Sequence, residues 1–378
     1  MIIDTILTPG RTSGGRARDA CCVVALLGGW TSVTWLAGIR QGLLFLIGAG
    51  FGAVLSGASF GFTTGWRVWI RERDPTGLLA QFLAIGLATL AAVPLLASHA
   101  ELSGAAAPIS WSLVIGAFVF GATMQLADGC GSGTLYKAGL GHPVSLAVFP
   151  AFVAGSFFGA LHLDAWLALG SFPALSLIGG FGAMGTIIIT LGLLGTIATV
   201  VWRRRRTTGA RWIGPGVYVA AALLALLSVF NLVVAGQPWG IVYGLGLWGA
   251  KLASWTGMDL TGNAFWGREA QQTQISGSVL DDITSVTDLG LLLGSFLVAW
   301  RRGNACPGTR GTTPAQWVWI VTAGFVLGYS ARLAFGCNVG AFFSGISTGS
   351  VHGWIWFALA FSGSLLGVRL RAHIGLKG

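Results

Sequence analysis

Two short segments hold the residues best suited to chemistry. Gly129-Cys130-Gly131-Ser132-Gly133-Thr134 places one thiol among glycines and hydroxyls, and Gly336-Cys337-Asn338-Val339-Gly340 places a second beside an amide. Glycines allow successive backbone N–H groups to converge on an anion. Ser132, Thr134 and Asn338 add side-chain donors. A thiol is a weak, polarisable donor, so a pair of them suits a soft, sulfur-bearing solute better than a hard ion. Neither segment is a phosphate loop, because the GK[ST] element is missing. One buried cysteine in a helix is ordinarily a small hydrophobe. The case for function therefore rests on there being two.

The two thiols belong to an internal repeat. Residues 117–134 read AFVFGATMQLADGCGSGT and residues 324–341 read GFVLGYSARLAFGCNVGA. An offset of 207 aligns Gly121 with Gly328, Leu126 with Leu333, Gly129 with Gly336, Cys130 with Cys337 and Gly133 with Gly340. Downstream, Gly155-Ser156-x-x-Gly159 matches Gly363-Ser364-x-x-Gly367 after a one-residue gap. The bland alternative is two similar glycine-rich helix contacts.

A few charges fall inside apolar stretches, where they are costly and hence functional candidates. Arg332 and Lys251 are placed to attract an anion toward the Gly-Cys segments. Asp128, two residues before Cys130, is expected to be ion-paired with one of these bases, because a free carboxylate would repel an anion. His142 and His162 lie near span ends and read as solvated. Cys21 and Cys22 read as packing residues, and Cys306 as an exposed thiol in a polar stretch. The five cysteines form no CxxC and have no histidine-rich partner set, so neither a disulfide framework nor a zinc site is signalled.

These residues must be positioned by membrane helices. Only 9% of the 378 residues are charged and 54% are hydrophobic, against about 25% charged in a typical soluble domain. That excludes a soluble enzyme, a disordered chain and a nucleic-acid-binding domain. The apolar residues run continuously, unlike the alternation of barrel strands. The net charge of +10 reflects basic clusters between apolar runs, which mark cytoplasmic loops. They are Arg11/Arg16/Arg18, Arg67/Arg71/Arg73, Arg203–Arg206 with Arg211, Arg301/Arg302/Arg310 and Arg369/Arg371/Lys377. Placing all five clusters on one side requires an even number of crossings between neighbours. Three runs lie between 211 and 301, so 239–257, glycine-rich and preceded by Gly-Gln-Pro, is expected to be re-entrant.

The expected fold is an all-α polytopic membrane protein of about 9–11 transmembrane helices, with short re-entrant helices and an inverted repeat. Its halves are 1–206 and 207–378, and both termini are cytoplasmic. Such repeats place substrate sites near the midplane, where broken helices meet.

In LADGCGSGTLYKAGLGHP (126–143), GQPWGIVYGLGLWGAK (236–251), FGFTTGWRVWIRERD (60–74) and the segment 331–371, the chain resembles the YeeE/YedE family. That resemblance implies import of thiosulfate or related sulfur compounds across the bacterial inner membrane. It also implies two pseudo-symmetric halves meeting at a narrow centre, with motif cysteines passing the anion by thiol hydrogen bonds. Cys130 and Cys337 take the family's two Gly-Cys positions. Gly61 stands where the resemblance leads one to expect a third path cysteine, so a three-thiol relay does not carry over intact. Asp128 is a second departure, small residues being usual before that cysteine.

The resemblance further suggests a cytosolic sulfur-carrier, sulfurtransferase-like partner, besides the anion and the lipid bilayer. No cofactor is called for, and the chain lacks an ATP-binding motif. Three readings stay open beside thiosulfate transport. They are transport of another sulfur or selenium oxyanion, an intramembrane thiol–disulfide enzyme, and a structural membrane subunit.

Overall fold

A computed structural model describes residues 13–206, 213–303 and 312–376. Cys306, Arg11, Arg211, Arg310 and Lys377 lie outside them. The chain is helical almost throughout. Among the described residues the only strands are two residues each, β1 (Ile109–Ser110) and β2 (Ser171–Phe172), antiparallel with Ile109 opposite Phe172. Among the described residues, ten helical stretches are long and apolar enough to cross a membrane. The chain is therefore an all-α, multi-pass membrane protein.

The first half holds α1 (Ser13–Ala37), α2 (Ile39–Ala58), α3 (Phe62–Glu72), α4 (Thr76–Ser98), α5 (Trp111–Leu126), α6 (Gly131–Gly139), α7 (Pro143–Leu161), α8 (Leu163–Ala168) and α9 (Leu177–Arg203). The second holds α10 (Val217–Ala235), α11 (Val242–Trp255), α12 (Glu269–Ser276), α13 (Ile283–Arg302), α14 (Pro314–Leu333), a π-helix (Asn338–Phe343), α15 (Ser344–Ser347) and α16 (Val351–His373).

Local sequence explains several boundaries. Ser110 caps α5 by accepting from the Leu113 N–H. Asp282 caps α13 by accepting from the Ser285 N–H. At the start of α14, Thr313 and Gln316 exchange hydrogen bonds around Pro314, a capping box with proline at the first helical position. Four helices are broken inside or beside the apolar core. The breaks follow α2 at Ser59 (φ 51°), α5 at Asp128 (φ 58°), α10 at Gly236 (φ 70°) and α14 at Phe335 (φ 57°). After each left-handed residue the chain continues into a shorter helix: α3, α6, α11 or the π-helix. The 239–257 run becomes α11, only 14 residues long and not among the ten spans.

Glycine sets how closely the long helices pack. A Cβ built on Gly121 would lie 1.9 Å from the Ala360 carbonyl oxygen, and one on Gly363 1.9 Å from that of Phe118. Between α7 and α14, Gly155 faces the Phe325 oxygen at 2.0 Å and Gly328 the Phe152 oxygen at 2.1 Å. These two sets of contacts correspond residue for residue under the 207–208 offset. Small residues that let backbones touch are the usual means of helix association in lipid, where no hydrophobic force drives it. Gly48, Gly52, Gly290 and Gly294 join α2 to α13 in the same way.

The described members of the basic clusters gather at one end of the bundle. Arg302 donates to the Ser56 and Gly57 carbonyls at the end of α2, and Arg301 pairs with Asp19 at 2.7 Å. The Arg206 N–H donates to the Arg73 carbonyl. Arg371 reaches the end of α5 through the Gln125 carbonyl. Arg40, at the opposite end of α2, instead donates to the Val234 and Ala235 carbonyls.

Candidate functional site

Cys130 and Cys337 occupy the same local structure. Both are N-cap residues of the helix that follows a break, with φ/ψ of −85°/−169° and −95°/−168°. Each is preceded two residues earlier by a left-handed non-glycine residue. The flanking hydrogen bonds also match: Gly129 N–H to Met124 O and Gly336 N–H to Ala331 O, then Thr134 N–H to Cys130 O and Ala341 N–H to Cys337 O. Both cysteines are fully buried.

The two segments meet at Gly131. A Cβ built there would lie 2.9 Å from Cys337 Sγ, so glycine is what allows the second thiol to approach the start of α6. The backbone N–H groups of Val339 and Gly340 point at the Cys337 sulfur, and so does that of Ser132 from the other segment. Cys130 Sγ lies 3.3 Å from Ser132 Oγ. These are donors converging on one spot at two helix N-termini, the arrangement that receives anions.

Polar atoms around the thiols are unsatisfied. Thr134 Oγ1 and both side-chain atoms of Asn338 are buried without a hydrogen-bond partner. Each such atom costs about 1–3 kcal/mol. A Cβ built on Gly340 would meet nothing within 4 Å, and one on Gly133 only Cys130 Sγ at 3.6 Å. The aligned glycines therefore border open space beside the thiols. Gly129 and Gly336 sit inside the turns: a Cβ on Gly129 would lie 3.0 Å from the Thr134 nitrogen, and one on Gly336 2.7 Å from that of Ala341.

Gly61 caps α3. A Cβ there would lie 3.6 Å from the Tyr136 hydroxyl, and Tyr136 is within electrostatic reach of Cys130, Asp128 and Arg67. Gly61 thus stands next to α6, the helix that Cys130 caps.

Arg332 and Lys251 are not brought into this cluster. The Lys251 ammonium donates to the carbonyls of Gln274, Ile275 and Gly277, capping the C-terminal end of α12. Arg332 lies over the rings of Phe265 and Tyr243, at 4.5 and 5.2 Å. Its Nε is buried without a hydrogen-bond partner, and no carboxylate among the described residues forms a salt bridge with it.

Asp128 is ion-paired as expected, but not with either of those bases. Its partners are Arg67 (2.8 Å), Lys137 (2.8 Å) and Arg371 (3.4 Å). The reason is geometric: Arg332 aligns with Gln125 in the other copy and packs against α11 and the Phe265 segment, while Asp128 faces α3 and α16. Sequence reasoning read Arg67 and Arg371 only as topology markers and did not single out Lys137, Tyr136 or Gln125. The 207 offset pairs Gln125 with Arg332, and that was the available signal. His162 accepts or donates a 3.1 Å hydrogen bond with the Tyr329 hydroxyl. Cys21 is exposed, and Cys22 donates to the Leu297 carbonyl.

The molecule is thus a multi-pass helical membrane protein with two thiols buried at paired helix breaks. A protein-family model described as sulphur transport matches residues 57–366, and the chain belongs to that YeeE/YedE-like sulfur-transport family. It is 32% identical over 156 residues to the probable transporter YedE of Salmonella typhimurium, covering 40% of this chain and 37% of that protein. Against YedE of Escherichia coli it is 30% identical over 153 residues, 40% and 36% of the two chains. The match therefore spans under two fifths of either YedE protein. The thiosulfate transporter TsuA of Spirochaeta thermophila is 27% identical over 261 residues, 64% of this chain and 72% of that protein.

Proposed function

We propose that this chain carries thiosulfate, or a closely related sulfur oxyanion, across the bacterial inner membrane. The path runs through the meeting point of the two Gly-Cys segments. Cys337 and Cys130 hand the anion along by thiol hydrogen bonds, assisted by Ser132, Thr134, Asn338 and the backbone N–H groups between Gly129 and Gly133 and between Gly336 and Gly340. The observation that carries this reading is the buried, unpartnered amide of Asn338 and hydroxyl of Thr134 beside two N-cap thiols. An anion with several acceptor oxygens and a soft sulfur satisfies such a set. The similarity to TsuA supports thiosulfate as the cargo.

The halves 1–206 and 207–378 form an inverted repeat, with α3, α6, α11 and the π-helix with α15 as re-entrant elements. The matched backbone geometry of the two Gly-Cys breaks and the matched glycine contacts of α5–α16 and α14–α7 support this. The basic end faces the cytoplasm, as the positive-inside rule requires, and both termini lie there. A cytosolic sulfurtransferase-like carrier collects the anion at that end. Arg332 and Lys251 serve the path from a distance, by their positive charge. With Gly61 in place of a thiol, the Tyr136 hydroxyl offers a donor at the third step.

The test is uptake of labelled thiosulfate into proteoliposomes, with sulfite, sulfate and selenite as competitors. Cys130→Ala and Cys337→Ala should each lower uptake by about 10²-fold, the scale for losing a transition-state donor. Undiminished uptake by both variants would refute the thiol path. Preference for selenite over thiosulfate would move the assignment to a selenium oxyanion.

A further inference from the structure

Arg67 and Lys137 share the one negative charge of Asp128. One carboxylate faces Arg67, Lys137 and Arg371 at 2.8, 2.8 and 3.4 Å, and its side chain is only 19% exposed. Among the described residues, no other acid forms a salt bridge with Arg67 or Lys137. Buried charge without compensation is costly, so this cradle is built to accept more negative charge than Asp128 supplies.

Its location fits the transport path. Asp128 comes two residues before Cys130, and Tyr136 lies within electrostatic reach of Cys130, Asp128 and Arg67 together. Arg371 is held by the Gln125 carbonyl at 2.7 Å. The side chain of Gln125 is itself fully buried, with neither amide atom partnered. Lys137 grips Asp128 twice, at its carboxylate and at its own carbonyl (2.6 Å). That double grip holds Asp128 in a left-handed conformation, which a non-glycine residue adopts only with support. The aligned position in the other copy is Phe335, so the arrangement belongs to one end of the path.

We propose that Arg67, Lys137 and Arg371 form a second binding site for a divalent oxyanion, at the basic end of the path. Asp128 occupies that site as a built-in substitute ligand when no cargo is present, and so holds that end closed. An arriving dianion brings two negative charges against one, displaces the carboxylate from the cradle, and frees the Asp128–Gly129 turn that carries Cys130. The site takes only its choice of cargo from the thiosulfate path proposed above.

The test measures anion binding without transport. Detergent-purified protein is titrated with thiosulfate and, separately, with sulfate at constant ionic strength, reading the shift in unfolding temperature. Asp128→Asn removes the competitor, so its half-saturating concentration should fall about tenfold for both anions, within the usual range of coupled binding effects. Lys137→Met takes more from a dianion than from the single carboxylate it competes with, so its midpoint should rise about tenfold. A folded Asp128→Asn protein with the wild-type midpoint overturns the proposal. If that variant does not fold, an unchanged midpoint in Lys137→Met overturns it instead. Retained sulfate binding without thiosulfate uptake would leave this site standing while the thiosulfate reading falls.

Discussion

Two thiols with nearly the same backbone angles mark the centre of this protein, and what surrounds them is unusual in its cost. Asn338 is fully buried with neither end of its amide partnered. Replacing such a group by an apolar side chain of similar size removes the desolvation penalty. Asn338→Leu should therefore raise thermal stability, by about 1–3 kcal/mol, while lowering thiosulfate uptake. Thermal unfolding in detergent and liposome uptake measure the two effects. A variant less stable than wild type, with uptake unchanged, would show that the amide is a packing residue. Gly340 offers a complementary change, since a Cβ there meets nothing within 4 Å. Gly340→Ala should fold normally and slow uptake only by narrowing the open space beside Cys337.

At the scale of elements, close backbone contact decides whether the helices assemble. Gly328 on α14 and Gly121 on α5 each face a carbonyl oxygen about one bond length nearer than a Cβ tolerates. Overpacking a tight core costs about 1–3 kcal/mol, occasionally more. Gly328→Leu and Gly121→Leu should exceed that range and abolish the folded protein in detergent, as size-exclusion chromatography would report. The same substitution at Gly192, with nothing within 4 Å, should leave the elution profile intact. Helix breaks were legible at this scale only in outline. The Gly- and Pro-interrupted stretches at 129–133, 236–238 and 336–340 announced them. The left-handed residues at two of those breaks are Asp128 and Phe335, which propensity alone would not select. Both are followed by the same backbone hydrogen bond across the break, Gly129 N–H to Met124 O and Gly336 N–H to Ala331 O, and Lys137 holds Asp128 besides.

For the whole molecule, the proposed orientation rests on charge placement. The described basic clusters meet at one end through Arg302, Arg206 and Arg371. A reporter cysteine introduced beside Arg204, in a variant lacking Cys21, Cys22 and Cys306, should react with a membrane-impermeant maleimide only after the inner membrane is opened. One introduced beside Glu101 should react in intact spheroplasts. The reverse pattern would invert the topology proposed here. It would also place the Asp128 cradle at the outer end of the path.

The sequence by itself determined the membrane class, the positions of the apolar runs, the family resemblance and the offset that pairs Cys130 with Cys337. Those are properties of composition and local pattern, and they survive without knowledge of what packs on what. Only the tertiary structure decided which charges do what. Lys251 and Arg332 looked alike as isolated bases in apolar surroundings, yet one caps α12 and the other stacks on two aromatic rings. Arg67 and Arg371 looked like topology signals until α3 and α16 brought them onto Asp128. A charge in lipid takes its meaning from its partner, and here each partner lies on an element far away in the chain.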